Sequence, residues 1–167
     1  MRVLGIDPGT VKMGYGLIES NSDDDKLRML DCGVLTASSK LPPNKRLHVL
    51  YKKLREIVDR HQPDEVAIEE PFVARNVRSA LAIGRAQALA ILAAADNGIP
   101  VYTYAPTKVK QAVTNYGVSG KEQVQHMVQI HLELSQIPQP SDAADALAVA
   151  LCHLRERHVA KLIAKSG

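Results

Sequence analysis

The sequence predicts an α/β fold: a mixed five-stranded sheet, three antiparallel strands followed by parallel crossovers, with helices on both faces. Two observations carry this. Three short apolar runs stand close together at the start, and later apolar runs alternate with segments of helical period. The first three are joined too tightly for a parallel crossover, which needs a dozen or more residues, so they are antiparallel neighbours. The length of 167 residues fits one domain, 1–167, able to bury about two-thirds of the surface its unfolded form exposes.

Residues 2–6 form a strand that runs into Asp7-Pro-Gly-Thr, a tight-turn sequence. Residues 15–18 are the second strand, with Gly14 and Gly16 at tight backbone positions, and residues 30–36 the third. Between them residues 21–26, with the acids Asp23, Asp24 and Asp25, suit a hairpin tip peripheral to function. Leu47, Leu50, Tyr51, Leu54, Ile57 and Val58 then recur at helical spacing, and His61-Gln-Pro ends that helix. Residues 65–69 read as a buried strand, residues 79–96 as a helix stopped by Asn97-Gly98, and residues 101–104 as the fifth strand. Thr107 is positioned to cap a short helix, Ser119 the next over residues 120–134, and Ser141 a last helix reaching Leu154. Right-handed crossovers after the meander complete the sheet.

The net charge of +3 and pI near 8.9 admit a polyanionic partner without requiring one. Cys32 and Cys152 lie far apart in no metal-ligand spacing and read as reduced core thiols. The apolar run before Asp7 is too short for a leader, so a cytoplasmic location is expected. The longest apolar stretch, residues 79–95, is interrupted by Arg85 and Gln87 and reads as a buried helix with no role in a membrane.

The chemistry is expected from carboxylates at the ends of apolar elements. Asp7 and Glu69 each follow an apolar strand, at the edge where open α/β sheets bind ligands. Asp142 and Asp145 are three apart in the first turn of a helix and share a face. Taken singly, Asp7 also fits a plain turn, Glu69 a solvated strand end, and the helix pair acids favoured by the helix dipole. However, Asp145 is set between Ala143-Ala144 and Ala146-Leu147-Ala148, an apolar setting foreign to a solvated face. A buried carboxylate costs several kcal/mol, on the order of a lost ion pair, unless paired or bound to a cation. Four together make an oxygen-ligand site for Mg²⁺ or Mn²⁺.

Between residues 71 and 131 the bases Arg75, Arg78, Arg85, Lys108, Lys110 and Lys121 face only Asp96 and Glu122, an excess that would attract phosphate backbones. Phe72, in a loop after Glu-Pro, is placed either to stack on an unpaired base or to pack on its own loop. His126 and His153 read as helix-face residues.

Leu-Gly-Ile-Asp-Pro-Gly-Thr from Leu4, Ala-Ile-Glu-Glu-Pro-Phe from Ala67, Gln-Val-Gln-His-Met from Gln123 and Asp-Ala-Ala-Asp-Ala-Leu-Ala from Asp142 resemble the RuvC family, in order and spacing. These are bacterial Holliday-junction endonucleases of ribonuclease-H-like fold. The first motif alone is shared with sugar kinases and actin-like ATPases; the last two are far more specific. The resemblance implies that Asp7, Glu69, Asp142 and Asp145 bind two Mg²⁺ ions, with Mn²⁺ a substitute. Glu70 is the fallback ligand to Glu69. It also implies DNA contacts at Lys110, Lys121 and Phe72, with Arg75 on the same basic segment. A homodimer would nick a four-way DNA junction symmetrically, leaving 5′-phosphate and 3′-hydroxyl ends, alongside the branch-migration proteins RuvA and RuvB. Lys121 would offset charge on the phosphate. The helix over residues 79–96, apolar on most sides, suggests packing across a two-fold axis. The rivals are a ribonuclease-H-like enzyme that cuts RNA–DNA hybrids, a non-catalytic junction-binding module, and a phosphate-loop ATPase or sugar kinase. The last needs two such domains, more than this length holds.

Overall fold

The computed structural model describes residues 1–21, 26–71, 76–117 and 119–166. Strands β1 (Arg2–Asp7), β2 (Lys12–Ser20) and β3 (Leu27–Thr36) form the antiparallel meander. Helix α1 (Pro43–His61) leads to β4 (Glu65–Glu69), α2 (Val77–Ala95) to β5 (Val101–Tyr104), and α3 (Pro106–Thr114), α4 (Lys121–His131) and α5 (Ser141–Ser166) follow. The sheet order is β3-β2-β1-β4-β5, with β4 parallel to β1 and β5 parallel to β4. The fold class expected from the sequence is the one observed. The acidic segment Asp23, Asp24 and Asp25 lies outside the described residues.

The pleat divides the core. Leu4, Ile6, Val66 and Ile68 face α1 and α2, while Val3 and Ala67 face α3, α4 and α5. Successive β1 residues therefore alternate sides, which sends Gly5 and Asp7 toward α5. Gly5 pairs across strands with Gly16, and Asp7 with Gly14. These glycines let α5 lie against the sheet. A Cβ would fall 2.1 Å from the Ala146 carbonyl oxygen at Gly5, and 2.6 Å from Leu147 Cγ at Gly16.

Several local expectations are corrected. Strands β2 and β3 extend well past residues 15–18 and 30–36, because the hairpin keeps pairing from Lys12↔Thr36 to Ser20↔Leu27. Thr107 caps nothing: α3 opens at Pro106 with Ala105 at its cap, the proline supplying the preset φ. Ser119 does not cap α4 either, since Gly120 holds that position and the Ser119 hydroxyl is turned to Thr114. Helix α4 stops at His131 rather than residue 134, because Leu134 folds back and donates its N–H to the Gln129 carbonyl. Helix α5 continues past Leu154 to Ser166, carrying exposed Val159, Leu162 and Ile163.

Helix α2 is buried within the chain on one side only. Ala80, Ala86, Ala90, Ala93 and Ala94 bury one side, but Val77, Leu81, Ile91 and Leu92 are exposed. Its length and composition alone would also let it cross a membrane. Asn76 caps it, accepting from the Ser79 N–H at 3.2 Å. Cys152 is buried and Cys32 half-buried; both are free thiols.

Candidate active site

The site forms where β1 and β4 end beneath the first turn of α5. Ile6 pairs with Ile68 in parallel register, so the following residues, Asp7 and Glu69, end neighbouring strands at the same level. Alternation sets Glu69 on the α5 side, two residues from Ala67 and four from Glu65. Glu70 takes the other side, where Thr103 donates to its carboxylate at 2.8 Å. The pleat thus separates the two adjacent acids and leaves Glu69 as the one that joins the site.

Helix α5 brings the second pair. Ala143, Ala144, Ala146 and Leu147 are fully buried around Asp142 and Asp145, which remain partly open to solvent. The apolar setting noted in the sequence is therefore real: the helix start is pinned into the core and its acids cannot turn away.

Electrostatics show the convergence. Burial first, then the charges of Glu69, Asp145 and Asp142, push the Asp7 carboxyl up to about 7, against the pull of Lys121. Burial and then Asp145 push Glu69 up to about 7, against Lys110 and Lys121. Lys121, on the first residue of α4, holds Asp145 at 2.7 Å, and that hydrogen bond keeps its ammonium protonated. The site thus carries more negative charge than its two lysines offset. An all-oxygen donor set under such mutual repulsion suits a hard divalent cation. Among the described residues no three such side chains close as a finished ligand cage.

Other sequence candidates separate clearly. Lys108 faces away from the acids, paired with Glu156 at 2.6 Å. Arg78 and Arg85 lie on the exposed side of α2, and His126 on an exposed face of α4. Phe72 and Arg75 lie outside the described residues. His153 lies on the inward face of α5 and is fully buried. Its Nε2 meets Glu65 Oε2 at 2.5 Å and its Nδ1 meets the Tyr104 hydroxyl at 2.6 Å, while Arg157 reaches Glu65 at 3.0 Å. Neither this network nor the pairing of the Thr114 and Ser119 hydroxyls that ties the turn before Lys121 is legible in the sequence pattern.

A sequence model of the crossover junction endodeoxyribonuclease RuvC matches residues 3–153. The chain belongs to the RuvC family. It is 50% identical over 162 residues to a Dehalococcoides mccartyi RuvC, covering 97% of each chain. It is 52% identical over 153 residues to that of Chloroflexus aggregans, covering 92% of each. Thermus thermophilus RuvC in complex with a Holliday junction substrate superposes with a TM-score of 0.88 at 37% identity, covering 96% of each chain. The ribonuclease-H-like architecture expected from the motifs is thus the RuvC architecture, and the chain is a member of a metal-dependent endodeoxyribonuclease family.

Proposed function

We propose that this chain resolves Holliday junctions in DNA recombination and repair. The observation that carries the reading is the meeting of Asp7, Glu69, Asp142 and Asp145 with more negative charge than Lys110 and Lys121 balance. The named relatives support the substrate.

Asp7, Glu69, Asp142 and Asp145 would hold two Mg²⁺ ions, with Mn²⁺ able to replace them. Bound there, the metal supplies Lewis acidity toward the attacking water and the departing 3′ oxygen. The protein's own part is positioning. Asp7 and Glu69 are fixed by paired strands, and Asp142 and Asp145 by a helix seated on glycines, so the oxygen donors need little reorganisation. Lys121 is placed to leave Asp145 for the scissile phosphate and offset charge that develops there. Lys110 holds the approaching backbone. Products carry a 5′ phosphate and a 3′ hydroxyl.

The exposed apolar side of α2 supports a homodimer. Two copies joined there would offer two sites to a four-way junction of matching symmetry. A cytoplasmic location and cooperation with RuvA and RuvB belong to the same reading, as do base contacts by Phe72 and phosphate contacts by Arg75.

The test is incubation with a synthetic mobile four-way junction and with an RNA–DNA hybrid, with and without Mg²⁺, followed by mapping of the nicks. Symmetric, metal-dependent nicks in opposing junction strands are expected. Asp7→Asn should bind the junction and fail to cut it. Preference for the hybrid would favour the rival nuclease; Asp7→Asn cutting at the wild-type rate would overturn the site.

A further inference from the structure

The chain holds five tyrosines, and four are engaged by neighbours. Tyr15 bonds to Asp31, Tyr51 to Asp96 and Tyr104 to His153, while Tyr102 lies against the His153 ring with centroids 4.6 Å apart. Tyr116 differs: at 70% exposure it is the most open large apolar side chain among the described residues.

Its backbone, by contrast, is fixed from both sides. The Tyr116 N–H donates to Thr114 Oγ1 at 3.1 Å, and the Thr114 and Ser119 hydroxyls meet at 2.6 Å. Ser119 donates to the Tyr116 carbonyl at 2.9 Å. Thr114 Oγ1 also lies 2.7 Å from the Tyr116 carbonyl oxygen and 2.8 Å from that of Lys110, so the two hydroxyls between them hold both backbone groups of Tyr116. Thr114 and Ser119 are each only 5% exposed, so a buried clamp carries a solvated aromatic. Asn115, left-handed at φ 63°, ends α3 and starts the turn.

The place of this turn gives the ring its meaning. Lys110 lies one helical turn before it and Lys121 opens the helix after it, and both act electrostatically on Glu69. Two ammonium groups that flank an aromatic in the chain, one on the helix before it and one on the helix after it, form the combination that grips unpaired nucleic acid: charge for the phosphates, a π-face for a base. A base inside a continuous duplex stack offers no such face, whereas one at a branch point, where stacking is interrupted, does.

Resting on the nuclease reading above, we propose that Tyr116 is a substrate contact. Its ring stacks on an unstacked nucleobase of the strand that enters the carboxylate site. The clamp fixes the backbone that carries the ring before binding, so that less backbone entropy is lost when the base arrives.

The chain contains no tryptophan, so Tyr116→Trp installs a single reporter. Titrating that variant with a synthetic four-way junction in EDTA, where cutting is blocked, should quench its emission in step with the mobility shift of the same samples. Tyr116→Ala should weaken junction affinity roughly 5- to 100-fold, the worth of one stacked base, and Tyr116→Phe should bind like wild type. A shifted junction with unchanged emission, or Tyr116→Ala binding as tightly as wild type, overturns the proposal. A wild-type protein that shifts no junction at all overturns the nuclease reading and this one with it.

Discussion

Gly14 and Asp142 touch backbone to backbone. A Cβ at Gly14 would fall 2.0 Å from the Asp142 carbonyl oxygen and 3.3 Å from Asp7 Cβ. The residue that pairs with Asp7 across β1 and β2 is thus also the seat of the helix that delivers the second pair of acids. Gly14→Ala must displace either the sheet or the first turn of α5. Overpacking of this kind costs about 1–3 kcal/mol, and a displacement near 1 Å at a catalytic group costs on the order of 100-fold in rate. Junction cleavage should fall by about that factor while the variant still folds, which circular dichroism and a cleavage assay together would show. Unchanged cleavage would mean that α5 is not seated by this contact.

The raised carboxyls make stability depend on pH and metal together. Asp7 and Glu69 rise from 3.8 and 4.5 to about 7, so between those limits the folded state binds more protons than the unfolded one. Stability from these groups therefore falls as pH rises through about 7 and returns as it drops. In EDTA, Asp7→Asn should melt higher than wild type at pH 8 and gain little at pH 5. Mg²⁺ should raise the wild-type melting temperature more at pH 8 than at pH 5, because protons and metal compete for the same oxygens. Melting curves of the two proteins with and without Mg²⁺ decide this; equal gains at both pH values would count against it.

The legible part of the site was the part fixed by local pattern. Asp7 and Glu69 end apolar strands, and strand ends can be read from composition. Asp142 and Asp145 needed the flanking alanines, because a helix start favours acids whatever its function. Glu69 and Glu70 could not be separated until the pairing of β4 with β5 showed which face each takes. The His153 network joins Glu65 and Tyr104 to a ring far away in sequence, partners only the tertiary fold supplies. The Tyr116 clamp, by contrast, is local and was missed because its Ser119 hydroxyl read as a helix cap. The caps assigned to Thr107 and Ser119 failed because a proline and a buried hydrogen bond had already settled those positions.

Lys121 has two tasks, balancing Asp145 at rest and meeting the phosphate during reaction. Lys121→Ala should lower the cleavage rate at saturating junction by roughly 100- to 1,000-fold, the effect of losing one preorganised charge partner. Affinity should change far less, since one exposed ammonium contributes little to the total phosphate attraction. Single-turnover rates and mobility shifts on the same variant separate the two; a loss confined to affinity would place Lys121 in binding alone.

The far end of β4 is clamped by the same helix. Burial lowers the His153 pKa, with Glu65 opposing, so the neutral ring donates from Nε2 to Glu65 and accepts at Nδ1 from Tyr104. A histidine depressed in this way favours folding above its ordinary range and loses that contribution as pH falls through it, opposite in sign to the carboxyls at the other end. His153→Ala leaves the Glu65–Arg157 ion pair in place but removes a hydrogen bond to the Glu65 carboxylate, worth about 1.5–3 kcal/mol, and takes away the partner of the buried Tyr104 hydroxyl. The variant should melt well below wild type, yet cleave at a near-normal rate per folded molecule at low temperature. A rate loss without a stability loss would contradict a purely structural role.

The exposed stripe on α2 supplies the last prediction. Val77, Leu81, Gly84 and Ala88 recur at helical spacing and, with Pro71 and Arg85, line an apolar groove that a second copy of the helix would fill. Leu81, at 61% exposure, stands at its centre. Leu81→Glu puts a charge where two copies would meet, and an unpaired charge in an interface is costly enough to separate them. Sedimentation at micromolar concentration should therefore find wild type as a dimer and the variant as a monomer of unchanged secondary structure. Because each copy keeps its own four acids, the monomer should still nick one strand. It should lose the coupling that places a second nick opposite, so nicked intermediates accumulate. A wild-type protein that sediments as a monomer would refute the two-fold arrangement while leaving the chemistry of the site intact.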